Sequence, residues 1–168
     1  MKKDIKMYNI FFPVWLLWIF PPIILIVLLV NLAVDYFVIR RTLKNFDIDE
    51  PKILANKSVF STWVFGFISD IIGALLLSVF IFLDSLEKYD LSALTEALVR
   101  NPFQNPLAVL IIMVAIIISG FAIYLFNKKI VFRNTKLTDD QVDILSKKLA
   151  FYTAPYFFLL PTQLFMTM

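Results

Sequence analysis

The chain has 168 residues, of which 60% are hydrophobic and 17% charged, too little polar material to cover a water-facing surface of that size. It contains no Cys and no His, which excludes disulfides, thiolate or imidazole metal sites, haem ligation by His and any nucleophile paired with a His base. The net charge of +3 collects mostly in two connecting segments, which points to orientation and headgroup contact; a nucleic-acid partner would need a basic face that the chain lacks.

These bounds predict an all-α fold, a polytopic membrane helix bundle. Residues 1–168 form a single integral membrane domain with apolar segments at about 8–39, 59–83, 107–126 and 149–167. Four transmembrane segments follow, the first preceded by a proline-broken N-terminal half-helix. The tail 1–6 carries three Lys and leads into a stretch interrupted by Pro13 and the pair Pro21 and Pro22. That stretch is too long for the apolar core of a signal peptide, and Asn31 stands where cleavage would need a small residue before Ala33, so none is expected. It reads either as one kinked helix or as a half-helix over 11–20 followed by a span over 23–39. Pro22 favours the second, because a helix start leaves its missing N–H unused. Trp15 and Trp18 then suit the headgroup level. Asn31 and Asp35, four residues apart, share a face of the span, which ends at Arg40 and Arg41.

The 25-residue run 59–83 carries one formal charge, Asp70. Some sixteen of its residues are Leu, Ile, Phe or Val, each worth roughly −0.3 to −0.6 kcal/mol at the helix centre against roughly +2.5 to +3.5 for Asp, so insertion wins with the acid in place. The acid cannot cheaply face lipid. Thr62, Gly66, Asp70 and Gly73, spaced by four, four and three, therefore define the face that other helices cover. Counted at about 1.5 Å per residue from the basic helix ends, Asn31 lies nearest to Asp70 in depth, while Asp35 is shallower by roughly 12 Å and close to Arg40 and Lys57.

Within 84–106, Asp90 is placed to cap a short helix over 91–100 that carries a stripe of Leu91, Leu94 and Leu98 and rests on the membrane surface. The uncharged span 107–126 is interrupted only by Ser119, Gly120 and Tyr124. Thr138, Asp139, Asp140 and Gln141 match a capping box, so a helix starts at Asp139 and runs toward the last apolar segment, which Pro155 and Pro161 kink or break. Lys and Arg number three, five, two and six in the tail and the three connectors. Connectors 40–58 and 127–148 therefore belong on the cytoplasmic side, with both termini outside. Heavy use of Lys, Ile, Asn and Phe suggests an AT-rich bacterial genome, so the expected location is the bacterial plasma membrane, multi-pass.

Asp70 is the leading candidate for chemistry: an acid at that depth with nothing basic beside it can hold a proton or meet a cation. Asn31 and Asp35 are its supporting candidates. The competing reading makes Asp70 a helix-pairing residue, either protonated or bonded to Asn31, a role worth roughly 0.6 to 2 kcal/mol. Thr62, Gly66, Gly73 and Gly120 read as helix-packing residues, as do Tyr152, Tyr156 and Gln163. There is no Gly-rich phosphate loop, metal cluster or nucleotide motif, so no cofactor and no catalytic role are expected. The expected partners are the lipid bilayer and either further copies of the chain or other membrane proteins. Two functions stay open: a small transport or ion-conducting subunit with a proton- or cation-responsive acid, and a non-catalytic assembly or accessory subunit of a larger membrane complex. An intramembrane aspartyl hydrolase using Asp35 and Asp70 is the remote third, since two carboxyls sharing a proton can activate water.

Overall fold

The computed structural model describes residues 21–46, 48, 50–86 and 90–162. The expected half-helix over 11–20 and Gln163 lie outside the described residues. The described chain is all-α: α1 (Pro21–Lys44), α2 (Pro51–Ser85), α3 (Ser92–Arg100), α4 (Pro106–Phe126) and α5 (Asp139–Thr153), with single 3-10 turns at Pro102–Gln104 and Tyr156–Leu159.

Local chemistry sets the boundaries. Proline occupies the first turn of α1, α2 and α4, where its missing N–H costs nothing. Ahead of α4 the Asn105 carboxamide accepts from Leu107 N at 3.0 Å, and one turn earlier Asn101 does the same for Phe103 N at 3.1 Å, so two Asn-Pro pairs start two successive helical turns. The capping box of α5 forms as the sequence predicts. Thr138 Oγ1 accepts from Gln141 N at 3.3 Å, and Gln141 Oε1 from Thr138 N at 3.0 Å. The cap expected of Asp90 is instead supplied from a distance. Asp84, at the end of α2, accepts from Leu91 N at 3.2 Å and Thr95 Oγ1 at 2.8 Å, which ties α3 to α2. Leu94 and Ala97 of α3 are buried against Ala108 and Ile111 of α4, so the leucine stripe packs onto the bundle.

α4 ends in a π-helical turn, Asn127–Val131, closed by Phe132 N donating to Asn127 O at 3.0 Å. The wide turn leaves Asn127 fully buried while Lys129 and Ile130 point outward. Helices α1, α2, α4 and α5 form a ring in which α2 packs on α1 and α4, and α5 packs on α4 and α1. The main core lies at one end of that ring, where Ile39 and Leu43 of α1, Ala55 of α2, Ile123 of α4, Phe132, and Leu145 and Leu149 of α5 are buried together. Full burial of each large member contributes roughly 1.5–3 kcal/mol.

The expectation of four transmembrane segments is corrected: among the described residues two helices, Pro51–Ser85 and Pro106–Val131, are long and apolar enough to cross a membrane. The last apolar segment fails because it is not one helix. α5 stops at Thr153, Ala154 is extended at ψ 150° ahead of Pro155, and the chain turns back so that Thr162 N donates to Arg100 O at 2.9 Å and Thr162 Oγ1 to Val99 O at 2.7 Å. Proline without an N–H cannot continue the α-helical ladder there. The part of α1 whose side chains are described, 28–44, is shorter than a span by itself and carries Asp35, Arg40, Arg41 and Lys44. The multi-pass plasma-membrane placement, with connectors 40–58 and 127–148 on the cytoplasmic side, is corrected with it, since it was counted from four crossings. Connector 40–58 is also largely helical, α1 running on to Lys44 and α2 beginning at Pro51.

The two apolar helices are not the covered core of a water-soluble fold. In the most apolar part of α2 only 11% of residues are buried, and in that of α4 only 28%. Leu75, Phe82, Leu110, Ile117 and Phe121 are each at least 60% exposed, a surface that needs lipid or protein against it. The chain is a small all-α helical bundle whose two apolar helices are consistent with a membrane-associated protein.

Candidate functional site

Between α1, α2 and the α5 end lies a half-open cavity of about 130 Å³. α1 contributes Asn31 and Asp35, and α2 contributes Gly66 and Asp70, both pairs at the i, i+4 spacing that puts residues on one helix face. The cavity thus gathers all three residues named in the sequence as proton or cation candidates, Asn31, Asp35 and Asp70. Gly66 opens it, since a Cβ added there would meet no atom within 4 Å. Trp63 and Phe67 of α2 form an aromatic wall, and Tyr152 and Phe157 stand at the α5 end. The Trp63 indole is fixed by its N–H donating to Leu28 O at 3.1 Å, and its ring meets Phe67 edge to face at 5.0 Å.

The carboxyls are poorly served by their surroundings. Asp35 is 5% exposed, and Asp70 Oδ1 is buried with no hydrogen-bond partner. Among the described residues no ion pair reaches either acid; the salt bridges lie at Glu96 and Asp143. Asp35 is near enough to Asp70 to act on it electrostatically. The depth count did not carry this juxtaposition, because it treated α1 and α2 as parallel rods measured from separate ends. Asn31 lines the cavity with Asp70, and no hydrogen bond joins the two.

The other singled-out residues serve the contact with α4 and α5. Thr62, 1% exposed, donates to Asn127 Oδ1 at 3.1 Å, and Asn127 Nδ2 donates to Ile123 O at 2.9 Å. At Gly73 the helices come close: a Cβ there would overlap Ser119 Oγ and stand 3.2 Å from Ala115 O. Gly120 faces α5, where a Cβ would lie 3.6 Å from Ala150 O. α2 therefore presents two adjacent faces, one of small and hydroxyl residues closed by α4 and one with Gly66 and Asp70 open to the cavity.

A polar cluster that sequence reasoning missed joins α4 to α5. Tyr124 Oη donates to Asp143 Oδ1 at 2.7 Å, Lys128 pairs with the same carboxylate, and Lys147 Nζ reaches Asp143 Oδ2 at 2.6 Å. Hydrogen bonds from Lys128, Lys147 and Tyr124 hold the Asp143 carboxyl well below the usual carboxylate range. The available signal was the i, i+4 spacing of Tyr124 with Lys128 and of Asp143 with Lys147. Three side chains saturate this carboxylate, so the cluster clamps helices and offers no open coordination. No group of three or more His, Cys, Asp or Glu that can hold a metal occurs among the described residues. The unsatisfied Asp35–Asp70 cavity is the candidate site, and it stands without a precedent to borrow from: no family model, no curated protein and no solved structure matches the chain.

Proposed function

We propose that the protein is a small membrane-associated subunit that binds a cation, or carries a proton, at Asp35 and Asp70 in the service of transport or ion conduction. The observation that supports this reading is a pair of buried carboxyls lining one cavity with no counter-charge from the described residues. A buried acid left without a partner costs free energy. Proteins keep such groups where a ligand or proton completes them.

The test is flux in liposomes reconstituted with the full chain. Asp70→Asn and Asp35→Asn are expected to abolish cation-dependent flux while leaving the helical circular dichroism unchanged. Flux equal to wild type in both variants refutes the proposal. The accessory-subunit reading is favoured by one different observation, the outward row Ile68, Ile71, Leu75, Val79 and Phe82 on α2. A partner or second copy would cover that row, and co-purification in mild detergent lost on Leu75→Glu would support it.

A further inference from the structure

Resting on the cation-binding reading, we infer that the ligand of the Asp35–Asp70 cavity is a small organic ammonium ion and not a bare metal cation. The volume sets the size. About 130 Å³ is slightly less than the roughly 150 Å³ of a cavity that accepts benzene, so an ion of some five or six heavy atoms fits.

The lining sets the chemistry. A hard metal cation takes six or more oxygen ligands, whereas the wall offers the oxygen-bearing side chains of Asn31, Asp35, Asp70 and Thr153, so a metal would have to keep part of its water shell in this space. Much of the remaining wall is aromatic. Trp63 and Phe67 sit together on α2, and Tyr152 and Phe157 line the same space. Aromatic faces beside carboxylates are the combination that recognises alkylated ammonium groups: the rings attract the charge spread over N-methyl groups while the acids neutralise it. A small hydrated inorganic cation gains less from such walls, because it gives up a strong hydration shell. Asp35, 95% buried by its 5% exposure, lines this space unpaired and supplies the charge. The indole is held in place beforehand by its bond to Leu28 O, so little ordering remains for binding to demand.

The test is isothermal titration calorimetry on the full chain in a maltoside detergent, which carries no ammonium headgroup of its own. Tetramethylammonium, methylammonium and sodium chlorides are titrated at matched ionic strength. Tetramethylammonium is expected to bind most tightly. Trp63→Leu and Phe67→Leu are each expected to weaken it roughly five- to thirtyfold, the range that one desolvated cation–π contact supplies, while Trp63→Phe, which keeps a ring, retains most of the affinity. Asp70→Asn is expected to abolish binding of every cation. Sodium binding as tight as tetramethylammonium, or ammonium affinity indifferent to both ring substitutions, overturns this inference and leaves the cation-binding reading standing. No heat with any of the three cations overturns both.

Discussion

The contact between α2 and α4 at Gly73 gives a prediction with a built-in control. A methyl group at this position overlaps Ser119 Oγ, stands 3.0 Å from Phe158 Cε2 and 3.2 Å from Ala115 O. The Ser119 hydroxyl has no hydrogen-bond partner to hold it, and a ring edge can shift, but the Ala115 carbonyl belongs to the α4 backbone and moves only with the helix. Overpacking of this kind costs about 1–3 kcal/mol, against up to about 1 kcal/mol that Ala gains over Gly in a helix. Gly66, one face away on the same helix, would receive the same methyl into open space. The propensity gain is common to both, so Gly73→Ala minus Gly66→Ala isolates the packing term. Gly73→Ala is expected to be the less stable by about 1–3 kcal/mol, or roughly 2–12 °C in Tm at this chain length. Thermal and denaturant unfolding followed by far-ultraviolet circular dichroism in maltoside micelles measures it. Equal stability of the two variants would mean that α2 and α4 do not meet at Gly73.

Two further expectations concern polar groups that lock the ring. Thr62→Val and Asn127→Leu should each destabilise by about 1–3 kcal/mol, because either leaves its buried partner unsatisfied, and the double variant should cost less than their sum; strict additivity would dissolve the bond. For Asp143 the sign follows from a folded-state pKa held below the ordinary 3.8. Its stabilisation is present above the unfolded value and is lost as pH falls through the folded one. Wild type should therefore exceed Asp143→Asn in stability at neutral pH and converge with it in strong acid, and a gap that persists through acid titration would assign the effect to shape and not to charge.

The legible part of this fold was local. The runs 59–83 and 107–126 reappear inside α2 and α4 because apolar length is read directly from composition, and the capping box at Thr138 forms because its two hydrogen bonds lie within four residues. What misled was tertiary. Apolar content in the last segment suggests a span, but Pro155 breaks the ladder and Thr162 returns to the end of α3. Asp90, adjacent to α3, is the cap the local sequence suggests, whereas Leu91 N donates to Asp84, a hydrogen bond that spans seven residues of sequence. At the candidate site, the i, i+4 pairs Asn31 with Asp35 and Gly66 with Asp70 were each visible on their own helix. That both pairs face one space could not be read from either helix alone, and the aromatic walls had no signature in a chain where Phe alone accounts for 18 residues.

The distribution of polarity explains why a cavity with acids in it can persist here. The buried face of α2 consists of Ala55, Ser58, Thr62, Ser69 and Gly73, and its partner α4 buries Ala108, Ala115 and Ser119 beside larger isoleucines. Many of the large apolar side chains point outward, among them Leu75, Val79 and Phe82 of α2 and Leu110, Ile117 and Phe121 of α4. In water such an arrangement would forfeit the hydrophobic driving force, which needs those side chains inside. In lipid that force between helices vanishes, and close packing of small and hydroxyl residues takes its place. A contact built on small residues is tight where it fits, as at Gly73, and leaves open space where a neighbouring helix diverges, as at Gly66. Asp35 and Asp70 occupy the second kind of place. Their surroundings already concentrate polar atoms away from the outer surface, so a ligand that neutralises them stabilises the interior without requiring the helices to repack.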